Sequence, residues 1–426
     1  MTVLKEGKAG AATLSISSAS KTLRIAWISD FGGGGGVPGM ATQLVAALCE
    51  QDCELAVFTR TSRQEIERFF SDHILRKTSF FVSTHKWEWG KWYSRDPRIA
   101  FIPSFLKRIS AEKALVSSLF AEHLRDPFDA IVRFSQIELF ALRRHASRLP
   151  IIIYPCVHAD GERQACIREE SIARECEPWW WRVFRGFYLE LRSRMQARDL
   201  RLVRKIIGMS QIFNQKLKED YGLERAKFGV VYHPIPIDRI SALKRCPDRK
   251  IHLLFVGRIS VRKGIELILE AAPSIVAKHL DVDITIIGGG SLWSNYEPLL
   301  GKGLSEGLLW KGSLKHNDVI NAMEHSDILL IPSHYEPGGI VVGEALAAGM
   351  LVVASNVVGS AEVLSDQVCL RFPVGDLSGF LIAVDAAIHR VRASAGEPRR
   401  AARSECEKHF SLPVVSEALM DQLRGL

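Results

Sequence analysis

The first half of the chain alternates short apolar runs with helix-forming segments. An apolar run at residues 23–28 leads into five consecutive glycines at 32–36, a helical pattern at 40–49 and a second apolar run at 55–59. This order predicts a parallel sheet, because strands joined through a crossover helix pair in the same direction. The stretch 62–110 is rich in aromatic and basic residues and predicts loops with short helices. Further strands are predicted at 130–134, 151–154 and 205–209.

A second series of the same kind begins after residue 247. Between the two series, Pro234 and Pro236 oppose helix and favour extended chain, which indicates a linker. The pattern predicts an α/β protein in which two Rossmann-like, doubly wound parallel-sheet domains face each other across a cleft. The predicted elements of this second half are strands at 251–256, 284–287, 308–310, 328–331 and 351–354 and helices at 264–278, 317–324 and 343–348.

Five segments follow from these patterns. They are a disordered leader at 1–22, an N-terminal domain at 23–235, a linker at 236–250, a C-terminal domain at 251–410, and a helix at 411–426 that can return to the N-terminal domain. The leader lacks the long apolar region of a secretory signal, and no apolar run approaches the roughly 20 residues of a membrane helix. The expected location is cytoplasmic, with peripheral contact at the cytoplasmic face of a membrane left open.

Composition and charge narrow the class of protein. Of the 426 residues, 47% are hydrophobic and 24% are charged, which excludes a disordered, collagen-like or coiled-coil protein. Eight cysteines without a CxxC pair are too dilute for a disulfide scaffold and match no zinc pattern. The formal net charge of +8 suits nucleic acid, an anionic membrane or phosphorylated ligands, and does not choose among them.

The most specific segment is HYEPGGIVVGEALAAG, at residues 334–349. A predicted strand ends just before it, and Gly338 and Gly339 lead into a predicted helix. Glycine lets the backbone approach a ligand closely, and a helix N-terminus presents unpaired N–H groups, so this arrangement suits a pyrophosphate. Glu344 is expected in the first turn of that helix, where it can accept hydrogen bonds from sugar hydroxyls. Glu336 is expected to point into the cleft.

A second cluster follows the first strand of the same half and contains Gly257, Arg258, Lys263 and Gly264. The helix dipole disfavours a cation at a helix N-terminus, so Lys263 is expected to have an anionic partner. Arg258 offers a bidentate fork and Lys263 a point charge, and together they can hold a diphosphate. An exposed basic loop is the alternative explanation for these residues alone.

These motifs give the second half a resemblance to the retaining glycosyltransferases of family four, which have the GT-B fold. The family's E-x7-E pattern is matched by Glu336 and Glu344, and its G-R-x4-K-G pattern by the cluster around Arg258. The likeness is strong over about residues 250–365 and weaker over residues 23–235.

The resemblance implies a role for each matched residue. Arg258 and Lys263 would hold the donor diphosphate and stabilise the departing charge, Glu344 would bind the ribose hydroxyls, and Glu336 would contact the donor sugar. The family usually has an aromatic residue where Gly338 stands, so this chain departs from the pattern beside the phosphate. The other donor-binding positions, which would act largely through the backbone, are Gly312, Ser313, Leu314, Gly338, Gly339 and Ile340.

Two features of the first half extend the resemblance. The glycine loop is similar to the family's loop after the first strand, and Gly33 and Gly34 would cover the donor phosphates or border the acceptor pocket; a plain flexible turn is the alternative. His158 follows a predicted strand and corresponds to a cleft histidine of the family that would bond the transferring sugar, with a structural role as the alternative. The catalytic set implied is Glu336, His158, Arg258 and Lys263.

Two further segments allow other functions. Residues 177–205 are aromatic and then strongly basic, with helical periodicity. The apolar stripe of this helix is predicted to pack in the core, and contact with an anionic membrane is the second hypothesis. Asp281 and Asp283 form a DxD pattern, which binds a metal in another class of glycosyltransferase. Here they are expected to lie in a loop before a strand, so no essential metal is predicted.

The chain is therefore interpreted as a retaining glycosyltransferase. It would transfer a hexose-type sugar from a nucleotide diphosphate sugar, most simply UDP- or GDP-linked, to a hydroxyl of a glycan, a polysaccharide precursor or a lipid-linked acceptor. No cofactor is expected besides this co-substrate. The alternatives are a GT-B phosphorylase or epimerase, or a non-catalytic protein that binds an anionic membrane or nucleic acid. No RNP, KH or zinc-finger pattern supports nucleic acid. The sequence does not specify the oligomeric state.

Overall fold

A computed structural model describes most of the chain. The predicted leader, up to residue 21, and both Gly33 and Gly34 lie outside the described residues. The described ranges are 22–32, 36–83, 97–242, 250–290, 296–303, 307–393 and 397–426.

The N-terminal unit is built on a seven-stranded parallel sheet with strand order β3-β2-β1-β4-β5-β6-β7. Its central strands are buried on both faces, which explains why they read as continuous apolar runs. The strands are β1 (Leu23–Ile28), β2 (Cys53–Thr59), β3 (Ser79–Val82), β4 (Ala130–Ser135), β5 (Ile151–Pro155), β6 (Lys205–Gly208) and β7 (Phe228–Val230).

Helices cover both faces of this sheet. The prediction of loops with short helices at 62–110 is wrong in two places, because β3 and the start of the 29-residue helix α4 lie there. A four-residue edge strand is too short to show an alternating pattern, and basic side chains interrupt the apolar spacing of α4. The helices are α1 (Val37–Leu48), α2 (Arg63–Phe69), α3 (Asp72–Lys77), α4 (Pro97–Arg125), α5 (Ala159–Arg168), α6 (Glu170–Cys176), α7 (Trp179–Leu200) and α8 (Gln211–Tyr221).

The aromatic helix α7 only partly follows its prediction. Trp181 and Leu189 are buried, as expected of a stripe packed in the core. The prediction is wrong for Trp179, Val183 and Phe187, whose side chains are 65–70% exposed. Because α7 is apolar on more than one face, its sequence does not reveal which face packs inward.

The C-terminal unit holds a six-stranded parallel sheet with strand order β10-β9-β8-β11-β12-β13. The two sheets confirm the predicted α/β class with two Rossmann-like units. The strands are β8 (Ile251–Val256), β9 (Val282–Ile287), β10 (Leu308–Trp310), β11 (Ile328–Ile331), β12 (Leu351–Ser355) and β13 (Cys369–Phe372). The helices are α9 (Ile265–Lys278), α10 (Glu297–Gly303), α11 (His316–Glu324), α12 (Ile340–Ala347), α13 (Leu377–Ala393), α14 (Glu397–Phe410) and α15 (Leu412–Arg424).

The last helix, α15, packs against the N-terminal unit. Its apolar residues Val415, Leu419 and Leu423 are buried in the same core as the first sheet, and α15 lies against α1. The chain crosses back beside Ile235, whose N–H donates to the carbonyl of Phe410 at 2.7 Å. The position of the linker at 236–250 stays a prediction, since half of that segment lies outside the described residues.

One carboxylate joins the two units at the N-terminus of α8. Glu362 accepts hydrogen bonds from the backbone N–H groups of Gln211 at 2.6 Å and Ile212 at 2.9 Å. It also accepts one from the hydroxyl of Tyr232 at 2.7 Å. A carboxylate at a helix N-terminus satisfies unpaired N–H groups and interacts favourably with the helix dipole, so this contact is one of those that join the two units.

Candidate donor-binding cleft

A cleft of about 700 Å³ separates the carboxyl ends of the two sheets. Of the predicted trio at 312–314 only Leu314 lines it, while the carbonyl of Gly312 accepts from the N–H of Gly288 beside it. Gly36, at the end of the glycine loop, also lines the cleft. The predicted site residues that the fold brings together on its wall are His158, Arg258, Lys263, Leu314, Glu336, Gly338, Gly339, Ile340 and Glu344.

Arg258 follows strand β8 and lies half-buried on this wall. Within the described part of the chain its guanidinium has neither a hydrogen-bond partner nor a carboxylate within ion-pair distance. Burial lowers the pKa of Arg258, and the positive charge of Arg262 lowers it further. A partly buried, unpaired guanidinium is costly, so this position is suited to an anionic ligand.

Lys263 lies in a short 3-10 turn at Val261–Lys263, directly before α9. Its ammonium forms an ion pair with the carboxylate of Glu336, and the two side chains are only 15% and 11% exposed. Glu336 is thus the anionic partner that Lys263 has in this structure. Burial lowers the pKa of Lys263 well below its usual value, and Arg262 and Arg258 add to that effect. A second anion beside Lys263 would stabilise its charged form.

Glycine after Lys263 has a steric reason. Gly264 adopts a φ of 74°, and a Cβ there would lie 2.1 Å from the carbonyl oxygen of Pro332. Only glycine fits where the 3-10 turn that holds Lys263 approaches the end of strand β11 so closely.

Helix α12 starts earlier than predicted. It begins at Ile340 rather than at 343, after Gly339 with a left-handed φ of 79°, so Glu344 lies in its second turn and not in its first. The helix is buried on nearly all sides, which removes the periodic pattern that would mark its start. The N-terminus of α12, with its unpaired N–H groups, therefore faces the cleft at Gly339 and Ile340.

Glu344 has a partner that the sequence did not indicate. Its Oε1 lies 2.7 Å from Nε2 of His316, the first residue of α11. The hydrogen bond to Glu344 raises the pKa of His316. A ribose hydroxyl that binds Glu344 therefore competes with His316 for this carboxylate.

His158 lies on the wall of the cleft, but its ring contacts protein groups. Nδ1 is 2.7 Å from the hydroxyl of Tyr335, and Nε2 is 3.2 Å from Oδ2 of Asp220. Burial lowers the pKa of His158 to about 4, against the opposing effect of Asp220. Tyr335 also explains Gly161, since a Cβ there would lie 2.5 Å from the tyrosine ring. The expected contact of His158 with a sugar stays a prediction and requires Tyr335 to give way.

Two more charged residues belong to the cleft and were missed from the sequence. Arg262 donates to the carbonyl oxygen of Tyr335 at 2.9 Å and lies 3.7 Å from the carboxylate of Glu162. Burial would raise the pKa of Glu162, but Arg262 and Arg258 offset this effect and lower it. The cleft is lined by four cations, Arg192, Arg258, Arg262 and Lys263, and by three carboxylates, Glu162, Glu336 and Glu344, which leaves a positive excess for an anionic ligand.

The DxD residues lie away from this cleft. The prediction of a loop is wrong for Asp283, which lies inside β9, because two acidic residues hid the start of that strand. Asp281 forms an ion pair with Arg392, and the carboxylate of Asp283 contacts Nδ1 of His252. Across the described ranges no group of three or more His, Cys, Asp or Glu side chains is placed to hold a metal ion. That no metal is essential stays a prediction.

Residues 237–393 match the family described as "Glycosyl transferases group 1". The chain carries a group 1 glycosyltransferase domain. The matched range contains both carboxylates of the E-x7-E pattern and the cation cluster around Arg258. Where the chain is described, no helix combines the length and the apolar character needed to cross a bilayer.

Curated and solved relatives of the group 1 glycosyltransferase domain extend the comparison. A glycogen synthase of Mycobacterium tuberculosis is 29% identical over 219 residues, which are 50% of this chain and 52% of that protein, so the chain spans about half the length of this relative. Sucrose-phosphate synthase from Thermosynechococcus elongatus superposes with a TM-score of 0.66 at 18% identity, covering 95% of this chain and 98% of that one. Anabaena HepE, in complex with UDP and glucose, has a TM-score of 0.58 at 15% identity, covering 95% and 100%. Because these identities are below 25%, the superpositions show only the fold, which is GT-B.

Proposed function

We propose that this chain is a glycosyltransferase that binds a nucleotide diphosphate sugar in the cleft and transfers a hexose-type sugar, with retention, to an acceptor hydroxyl. The observation that carries the proposal is that the guanidinium of Arg258, which has no partner among the described residues, lines the same cleft as the N-terminus of α12. The group 1 glycosyltransferase domain supports the class of reaction. The UDP and glucose bound by Anabaena HepE, a protein of the same fold, support the class of donor.

The geometry provides a direct way to hold the donor. Arg258 and the backbone N–H groups at the start of α12 would bind the diphosphate, where fixed positive groups also stabilise charge on the departing nucleotide. Lys263 would turn from Glu336 toward the phosphate. Glu336 would then accept a hydrogen bond from a sugar hydroxyl, so one rearrangement would prepare both groups.

A nucleotide screen tests this proposal. Melting temperatures are measured with UDP, GDP and ADP, because a ligand that binds only the folded chain stabilises it. The nucleotide that binds is then supplied as its labelled sugar conjugates, and nucleotide release and product are followed. The absence of any nucleotide-dependent stabilisation would refute the proposal.

Two further measurements address the details of the reaction. The coupling constant of the anomeric proton in the product reports whether the configuration is retained. Transfer that proceeds without inorganic phosphate, with release of a nucleoside diphosphate, distinguishes a transferase from a phosphorylase or an epimerase. Glycan, polysaccharide-precursor and lipid-linked acceptors are compared in the same assay.

A surface of α7 favours an anionic membrane as a further partner, which fits a lipid-linked acceptor. Exposed apolar side chains line one face of α7. Arg194 and Arg198, which are 77% and 58% exposed, extend this face toward the end of the helix. Tryptophan at headgroup depth and arginine near lipid phosphates are typical of helices that lie on a bilayer. Four exposed apolar side chains, Trp179, Val183, Phe187 and Leu191, recur every four residues, and Trp180 adjoins the first of them.

Vesicle sedimentation tests this contact. The chain is expected to sediment with vesicles that contain phosphatidylglycerol at low salt and less so at high salt. The double variant Trp179→Gln/Phe187→Gln should bind about tenfold more weakly or worse, since each buried side chain contributes roughly 1.5–3 kcal/mol. Leu280→Gln is the matched control, because Leu280 is 85% exposed but lies outside α7. Equal binding of the double variant and the wild type would contradict the assignment.

A further inference from the structure

Gly338 and His233 compete for the same space in the cleft. The backbone of Gly338 is outside the left-handed region, so its conformation does not require glycine. A Cβ on this residue would nevertheless lie 2.6 Å from Cε1 of His233 and 3.1 Å from Sδ of Met209. Carbon atoms do not approach to 2.6 Å, and a thioether is flexible enough to adjust. The ring of His233 is therefore the group that excludes a side chain at position 338.

The imidazole of His233 is polar but unsatisfied. Both ring nitrogens are shielded from solvent, and neither has a hydrogen-bond partner among the residues that the structure describes. A neutral imidazole carries one donor and one acceptor, and a buried polar group without a partner is uncommon in a folded protein. Burial lowers the pKa of His233 to about 4, so the ring is neutral at neutral pH.

His233 also has the right neighbours for a role in donor binding. It lines the same cleft as Arg258, Lys263 and Glu336, although it comes from the segment after β7 rather than from the second sheet. Rotation about the Cβ–Cγ bond, a soft torsion, would turn a ring nitrogen toward a ligand in the cleft. A side chain on residue 338 would obstruct this rotation, whereas glycine permits it.

We propose that His233 is a specificity-determining residue that forms hydrogen bonds with hydroxyl groups of the donor's sugar. This inference rests on the proposed function. A hydroxyl both donates and accepts, so it matches a neutral imidazole at either nitrogen. A phosphate only accepts, and Arg258 and Lys263 already supply cations for it. The pair His233 and Gly338 thus shapes the sugar subsite and leaves the diphosphate to the cation cluster.

The variant His233→Phe tests the hydrogen bonds, because phenylalanine keeps a ring of similar size without the nitrogens. Calorimetry measures the binding of the nucleoside diphosphate alone and of its sugar conjugates, with UDP-glucose, UDP-galactose and UDP-N-acetylglucosamine as probes if UDP is the nucleotide. The dissociation constant for the nucleoside diphosphate should stay within about twofold. The kcat/KM for the preferred donor should fall about 10- to 100-fold, and the difference in kcat/KM between the preferred donor and the other sugar conjugates should become smaller.

A second set of variants tests the shared space and does not depend on catalysis. Gly338→Ala should lower the melting temperature while His233 is present, because the new methyl group meets the imidazole. In the double variant His233→Ala/Gly338→Ala, the additional effect of the alanine at 338 should largely disappear. Equal effects of Gly338→Ala in both backgrounds would overturn the coupling.

The outcomes separate this inference from the proposed function. If the wild type binds no nucleoside diphosphate, the proposed function fails and the role of His233 fails with it. If the nucleoside diphosphate binds but His233→Phe keeps the affinity and ranking of the sugar conjugates, only the role of His233 is overturned.

Discussion

Arg258 offers the sharpest test of the cleft because its removal separates function from stability. No described side chain pairs with its guanidinium, so Arg258→Gln removes no hydrogen bond or ion pair between described residues of the free protein. The substitution also removes one of three neighbouring cations, the others being Arg262 and Lys263. The melting temperature should therefore stay the same or rise slightly.

The expected loss of binding follows from the same arrangement. A unit charge about 4 Å from a phosphate contributes roughly 4 kcal/mol at an effective dielectric constant near 20. After desolvation is subtracted, a charge-assisted hydrogen bond retains about 1.5–3 kcal/mol, which corresponds to a 10- to 150-fold loss of affinity. Where charge develops on the leaving nucleotide, the loss in kcat should reach about 10²-fold or more.

Calorimetry with the bound nucleoside diphosphate and a nucleotide-release assay with its sugar conjugate measure both quantities. Arg225→Gln is the matched control, because Arg225 is exposed and lies outside the cleft. Near-normal turnover of Arg258→Gln would refute the reasoning. A fall of several degrees in melting temperature with unchanged nucleotide affinity would do so as well, since it would give Arg258 a structural role.

Three further predictions concern a titration, a metal and the contact between the units. The hydrogen bond to Glu344 raises the pKa of His316. The contribution of this bond to the free energy of unfolding is therefore complete below pH ~6.5 and is lost as the pH rises through the raised pKa. The difference in melting temperature between wild type and His316→Gln should accordingly shrink between pH 6 and pH 8, and a constant difference would contradict this. Transfer should be unchanged by EDTA, because Asp281 pairs with Arg392, Asp283 contacts His252, and neither carboxylate lines the cleft; loss of activity that Mg²⁺ restores would refute this prediction. Glu362→Ala should cost about 1–3 kcal/mol and lower the melting temperature in a thermal scan, whereas an unaltered melting temperature would show that its three hydrogen bonds contribute nothing.

The elements predicted from the sequence are those with strong local signals. Strands β1, β8, β10 and β11 match their predicted bounds to the residue, and β1, β8 and β11 are mostly apolar and mostly buried. The edge strands β3, β7 and β13 were not predicted, whereas the three-residue edge strand β10 was. The missed strands have at most four residues each and are partly exposed, so their patterns are hard to distinguish from those of loops.

The convergence of the candidate site residues was predictable where their motifs follow the ends of strands. The cations at 258 and 263 and the carboxylates at 336 and 344 converge on one cleft because parallel strands end at the same edge of their sheet. Their partners come from elsewhere in the chain. His316, which contacts Glu344, lies 28 residues before it in the sequence, and His233, which contacts Gly338, belongs to the other unit. Such contacts depend on tertiary packing and leave no local signal.

The return of α15 to the N-terminal unit has a consequence for synthesis on the ribosome. Leu44 and Leu48 of α1 share a core with Leu419 and Leu423, so this core gains its last members only when about 420 residues have been made. The C-terminal sheet, in contrast, has all its strands once residue 372 has emerged. We expect the C-terminal unit to fold before the core of the N-terminal unit is complete. A fragment that stops near residue 242 lacks α15, so it should leave the apolar surface beneath that helix exposed and should aggregate.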